Sequence, residues 1–167
     1  MNSTQTDDFV SYLNDHLAGS VAALELLDHL RESAEEETFR SFCARLHQEI
    51  SADQDILQKL IAEFGAGQGL IKMAAAWLLE KAGWTKFKIA GDGEGESGRL
   101  QALEALALGI NGKKLLWLAL APLANGCSPL QSLDFALLLM RADEQLRSVE
   151  GERLKAAECA FSETRGV

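Results

Sequence analysis

Three kinds of side chain in this sequence could do chemistry: carboxylates and cations on apolar helical registers, a few histidines, and three cysteines. The stripe Leu13, Leu17, Leu24, Leu27 recurs at helical steps and includes Ser20. A second stripe, Phe39, Cys43, Leu46, Ile50, Leu57, Leu60, Phe64, is broken by Asp53. Lys113, with Lys114 beside it, falls between Ile110 and Trp117 on a third register of Leu103, Leu106, Ile110, Trp117 and Leu120. A fourth, read as Leu130, Leu133, Leu137, Met140, Arg147 and Leu154, carries Glu144 and Arg147 after Met140. An unpaired charge in a core costs several kcal/mol, whereas a fully bonded group can break even. The expectation is therefore a buried ionic network in which Asp53 and Glu144 supply carboxylates and Lys113 and Arg147 the positive charge. The competing reading is that the stripes rotate slightly, so that Lys113, Glu144 and Arg147 reach solvent along their hydrocarbon stems.

The other candidates are weaker. His16 and His29 are separated by roughly 140° around a helix at about 100° per residue, so with Glu25 and His47 they read as surface or interface groups before metal ligands. The segment GDGEGESG alternates acids with glycine, but the twelfth position counted from Asp92 is Leu103 where a calcium loop needs a bidentate acid. Nor does Gly-Lys-Ser/Thr follow, so it is not a phosphate loop. Cys43, Cys127 and Cys159 are an odd count without paired spacing and fit a reducing compartment. No Ser/His/Asp or Cys/His pairing supports hydrolase chemistry.

These groups must be positioned by helices. Ala and Leu dominate, prolines number two, and β-branched runs are nearly absent, so the fold class is all-α. With 167 residues, 47% hydrophobic and 25% charged, a single domain over 1–167 is expected. One helix is expected over about 7–32, with Thr6 as N-cap. A second begins near a capping box of Ser33 and Glu36 and ends at Gly65. A shorter helix over about 70–82 follows, then a glycine-rich loop, a helix from about 97 to 120, and a last helix from an N-cap at Ser128, with Pro129 in its first turn and Gln131 completing a box, to about 161. Short turns make two antiparallel hairpins. The crossover between them, about 66–97, holds the short extra helix and is long enough to run from one end of a bundle to the other.

The segment YLNDHLAGSVAALELL in the first helix resembles the first helix of ferritin-like proteins, bacterioferritin especially, and LEALALGINGKKLLWLAL resembles the third. The closest resemblance is to uncharacterised bacterial ferritin-like bundles without di-iron ligands. It implies a ferritin-like four-helix bundle, two antiparallel hairpins joined by the long crossover. Di-iron members take one Glu from each of two helices and Glu-x-x-His from the other two. Aligned by that resemblance, the ligand positions fall at Ser20, at Gln48 and Ser51, at Gly109, and at Glu144 and Arg147. Glu-x-x-His occurs nowhere in the chain, and all three histidines precede residue 48. The resemblance therefore implies a degenerate metal site with no cofactor. It leaves open a small-molecule pocket beside Ser20 and Gly109, and a metal-dependent oxidoreductase or iron-handling protein with altered ligands.

A net charge of −9 disfavours nucleic acid and anionic membrane surfaces. The polar, acidic N-terminus reads as neither signal nor transit peptide, and the longest apolar runs, 115–123 and 133–140, fall short of the ~20 residues that span a bilayer. Trp84 and Phe87 among lysines, with Trp77 upstream, suggest a partner or dimer surface. The expectation is a non-catalytic cytoplasmic bundle, structural or interaction in role, forming a homo-oligomer, most simply a dimer, or meeting another protein partner.

Overall fold

A computed structural model describes residues 3–64 and 95–162. The described residues are helical with no strand among them: α1 Ser3–Ser33, α2 Glu37–Glu63, α3 Glu96–Leu120, a 3-10 segment Ala121–Gly126, the single turn α4 Ser128–Gln131, and α5 Phe135–Ser162. The short helix expected over about 70–82, Gly65, Trp77, Trp84 and Phe87 lie outside the described residues.

The helices bury their apolar faces in two clusters. One gathers Leu26, Leu27 and Leu30 of α1, Phe39 to Ile50 of α2, Leu100 to Ile110 of α3, and Val149 and Ala156 of α5. The other gathers Val10, Leu13 and Leu17 of α1, Leu57, Leu60 and Ile61 of α2, Leu116, Trp117 and Leu120 of α3, Leu130 of α4, and Leu138 of α5. The start of α1 thus shares one end with the end of α2, the end of α3 and the start of α5. So α1 and α5 run one way and α2 and α3 the other, and the chain between Phe64 and Gly95 has to connect opposite ends.

Local chemistry sets the helix ends, and three differ from the sequence reading. Ser33 does not cap α2; its hydroxyl donates to the carbonyls of His29 and Leu30 and closes α1. Arg40 instead ties the turn, donating to the carbonyls of Ala34 at 2.7 Å and Glu35 at 3.0 Å while pairing with Glu37. The last long helix does not begin at Ser128. Ser128–Gln131 is one isolated turn, preceded by Cys127 with no side-chain cap. α5 starts at Phe135, where Asp134 Oδ1 accepts the Leu137 N–H at 3.0 Å, the usual bond of an N-capping carboxylate. Helix α1 also begins earlier than expected, at Ser3. Gly95, φ 83°, sits in the left-handed region that favours glycine and turns the chain into α3. Arg99 then lies 4.4 Å from the centre of the Phe39 ring, binding the start of α3 to the start of α2.

The new start for α5 changes which face it buries. Leu138, Ala142, Gln145, Val149 and Ala156 point inward. Leu137, Met140 and Leu154, expected inside, are exposed, as are Glu144 and Arg147. Together α3 and the 3-10 segment form a stretch, Glu96–Gly126, long and apolar enough by length and composition to cross a membrane, its most apolar 18 residues reaching a mean hydropathy of 1.2. The sequence reading, which measured uninterrupted apolar runs, did not register it.

Candidate functional site: a polar layer between two apolar clusters

Between the two clusters, each long helix turns a polar or small residue to the interior: Ser20 from α1, Asp53 from α2, Lys113 from α3, and Ala142 and Gln145 from α5. Asp53 and Gln145 are the only buried polar side chains among the described residues. Asp53 reaches the interior because it occupies the α2 register midway between Ile50 and Leu57, both buried. Lys113 does the same on α3 between Ile110 and Trp117.

The three central groups close on one another. Lys113 Nζ donates to Asp53 Oδ2 at 2.5 Å and also to Gln145 Oε1. Gln145 Nε2 donates to the same Asp53 Oδ2 at 3.1 Å. On the other side of the carboxylate, Arg141 Nη2 stands 2.9 Å from Asp53 Oδ1 and donates to the Glu49 carbonyl at 3.2 Å. Asp53 Oδ1 has charge contact with that guanidinium but no aligned hydrogen bond. One carboxylate therefore faces two cations. Burial lowers the Lys113 pKa from its ordinary value, and the Asp53 charge opposes that shift only in part.

A second tier extends the layer. Gln54 Nε2 donates to Ser20 Oγ at 2.9 Å, and Ser20 Oγ donates to the Leu17 carbonyl at 2.7 Å, so α1 and α2 are joined at this level. Lys114 pairs with Asp143 at 2.7 Å on the outer side of the α3–α5 hairpin. One turn beyond Lys113, Trp117 is 1% exposed and its indole Nε1 has no hydrogen-bond partner among the described residues.

Of the four residues expected in an ionic network, the structure brings together Asp53 and Lys113. Glu144 and Arg147 are exposed, and the inward positions beside them are held by Gln145 and, at the edge, Arg141. The error is one of phase: α5 begins at Phe135, and its neighbouring leucine columns both look like a core face. Accordingly Glu144→Ala and Arg147→Ala are each expected to change unfolding free energy by less than about 0.5 kcal/mol in urea titrations, the usual size for surface changes.

The positions aligned as vacated metal ligands scatter. Gln48 and Gly109 are exposed, and Ser20 and Ser51 are half-buried. A Cβ at Gly109 would meet nothing within 4 Å. An open cleft of about 130 Å³ lies elsewhere, between Ile56, Lys59, Leu60 and Glu63 of α2 and Pro129, Ser132 and Leu133. Lys113, Gln145 and Gln54 fill the level at which a pocket beside Ser20 was expected.

The histidines stay apart. His16 packs edge-on against Tyr12, His47 stands 3.6 Å from Asp28, and His29 is exposed. Among the described residues no three His, Cys, Asp or Glu side chains converge as a metal site. Cys43 is buried, its thiol pushed up to about 11 chiefly by desolvation, while Cys127 is half-buried and Cys159 exposed. Compared with known protein families, curated proteins and solved structures, the chain matches none.

Proposed function

We propose that this chain is a ferritin-like four-helix bundle in which an internal ammonium replaces metal, and that it acts as a non-catalytic structural or interaction protein. The observation that carries the proposal is Lys113 bonded to both Asp53 and Gln145 midway along the helices. In di-iron members the inward i, i+3 pairs are Glu-x-x-His. Here the inward pairs at that level are Ile50 with Asp53 and Ala142 with Gln145. Two hard dications need several carboxylates. Among the described residues this interior offers one buried carboxylate, with Lys113 and Arg141 both directed at it. The local charge is already balanced or positive, so a further dication would meet two cations that repel it and one carboxylate already shared between them. The opposite orientation of the α1/α5 and α2/α3 pairs, with a crossover spanning the ends, supports the ferritin-like assignment.

The test is elemental analysis of protein purified without chelators, with an absorption spectrum after adding ferrous iron and oxygen. Well under one metal ion per chain and no new absorption band are expected. Stoichiometric iron or manganese would replace this reading with that of an iron-handling or redox protein using unconventional ligands.

A further inference from the structure

We infer that the outward face of α3 is the contact between two copies of this chain, paired antiparallel about a twofold axis. The inference rests on the interaction-protein reading above and names its partner surface. Leu108, Leu115 and Leu118 of α3 are 74%, 56% and 47% exposed, although α3 already buries eight other residues on its inner side. With Asn111 they follow a three- and four-residue rhythm, the spacing of a helix-pairing seam.

Charge identifies the occupant. The chain carries 25 acidic residues, yet none lies between Glu104 and Asp134. Two molecules of net charge −9 repel each other over most of their surfaces. This face lets identical chains approach without opposing carboxylates. Its two lysines do not charge the seam: Lys113 turns inward to Asp53 and Lys114 is held by Asp143. Those same ties anchor α3 to α2 and α5, which counts against its leaving the bundle to enter a bilayer despite its composition.

The same charge pattern fixes the direction of pairing. Parallel α3 helices would set Glu104 against its own copy. Antiparallel helices crossing at the level of residue 113 set Leu108 against the partner's Leu118, and Asn111 against the partner's Leu115. Glu104 then meets the uncharged Pro122 end. Antiparallel pairing also opposes the two helix dipoles favourably. A twofold contact of this kind is self-complementary and closed, so it stops at a dimer.

The test is light scattering on the full chain, with circular dichroism to confirm helix content. Wild type is expected at twice the monomer mass. Leu108→Glu is expected to weaken association on the order of 100-fold at unchanged helicity, as for a buried anchor replaced by a charge. The double variant Leu108→Glu/Leu118→Lys restores the dimer, because each new glutamate faces the partner's new lysine. A double variant that remains monomeric overturns the antiparallel pairing. A dimer indifferent to Leu108→Glu overturns the choice of face. A wild type that stays monomeric overturns the inference, and flotation of that monomer with phosphatidylcholine vesicles would then assign the face to a bilayer. None of these results depends on metal content, so this inference and the metal-free reading fail separately.

Discussion

Asp53→Ala is expected to lower the free energy of unfolding by about 3 kcal/mol, seen as a shift of the urea midpoint to lower concentration, because it leaves an ammonium and a guanidinium facing each other without their counter-ion. The carboxylate is 3% exposed and is the shared acceptor of Lys113 and Gln145 and the ion partner of Arg141. Lys113→Met should cost less, about 1–2 kcal/mol, since Asp53 keeps Arg141 and Gln145 while only Gln145 Oε1 loses its donor. The double variant Asp53→Ala/Lys113→Met should cost less than the two singles summed, since removing the ammonium removes part of the penalty that the first change creates. Alkaline titration gives an independent reading. Lys113 has a lowered pKa when folded, so between that value and 10.5 the unfolded chain holds more protons than the folded one. Stability contributed by this group therefore rises with pH through that window and is lost as pH falls below it. Lys113→Met should lack the slope. An Asp53→Ala protein as stable as wild type would mean that the layer is hydrated and open rather than closed on itself.

Trp117→Ala should cost about 3–5 kcal/mol, the range for emptying an aromatic site in a packed core. The indole lies in the cluster between Leu13 and Leu17 of α1, Leu57 and Leu60 of α2, and Leu138 of α5. Trp117→Phe should cost only about 1 kcal/mol, because the lost volume is offset by removing a buried donor that has no acceptor among the described residues, itself a penalty of roughly 1–3 kcal/mol. Chemical denaturation of the two variants side by side separates the contributions. If phenylalanine proves as damaging as alanine, Nε1 has an acceptor such as an enclosed water, and the interior next to Lys113 is wetter than its packing suggests.

Helix α2 was the most legible element. Its hydrophobic residues occupy one face and its charges the other, so the register through Phe39, Cys43, Leu46, Ile50, Leu57 and Leu60 placed Asp53 inside without further information. The same held for α3, where Leu103, Leu106, Ile110, Trp117 and Leu120 bracket Lys113. Helix α5 was not legible, because two leucine columns compete on it. Leu137, Met140 and Leu154 are bulkier than Ala142, Val149 and Ala156 and read as the core face, yet they are the exposed ones. Pairing with α3 is close enough to favour small residues on the inner side of α5, a constraint set by the neighbouring helix rather than by the segment itself. A signal was present at Asp134, whose capping carboxylate starts the helix at Phe135, but Pro129 after Ser128 gave a stronger local cue for a helix that lasts one turn. Gln145 is neutral and sits between Glu144 and Leu146, so its own chemistry does not mark it as a core group; only the phase of α5 turns it inward.

The directions of the outer helices determine where attached domains would sit. Helix α1 starts at the Val10–Leu138 pole and α5 finishes at the Ala156 pole, so anything fused before residue 3 and anything fused after residue 162 would project from opposite caps of a rod roughly 40 Å long, taking 28 residues at about 1.5 Å each. Within one chain two such cargoes cannot touch without a tether that retraces the helices, whereas in the antiparallel pair inferred above each would lie beside the opposite flank of the partner chain. The separation of the two flanks within a chain is thus set by the length of its helices.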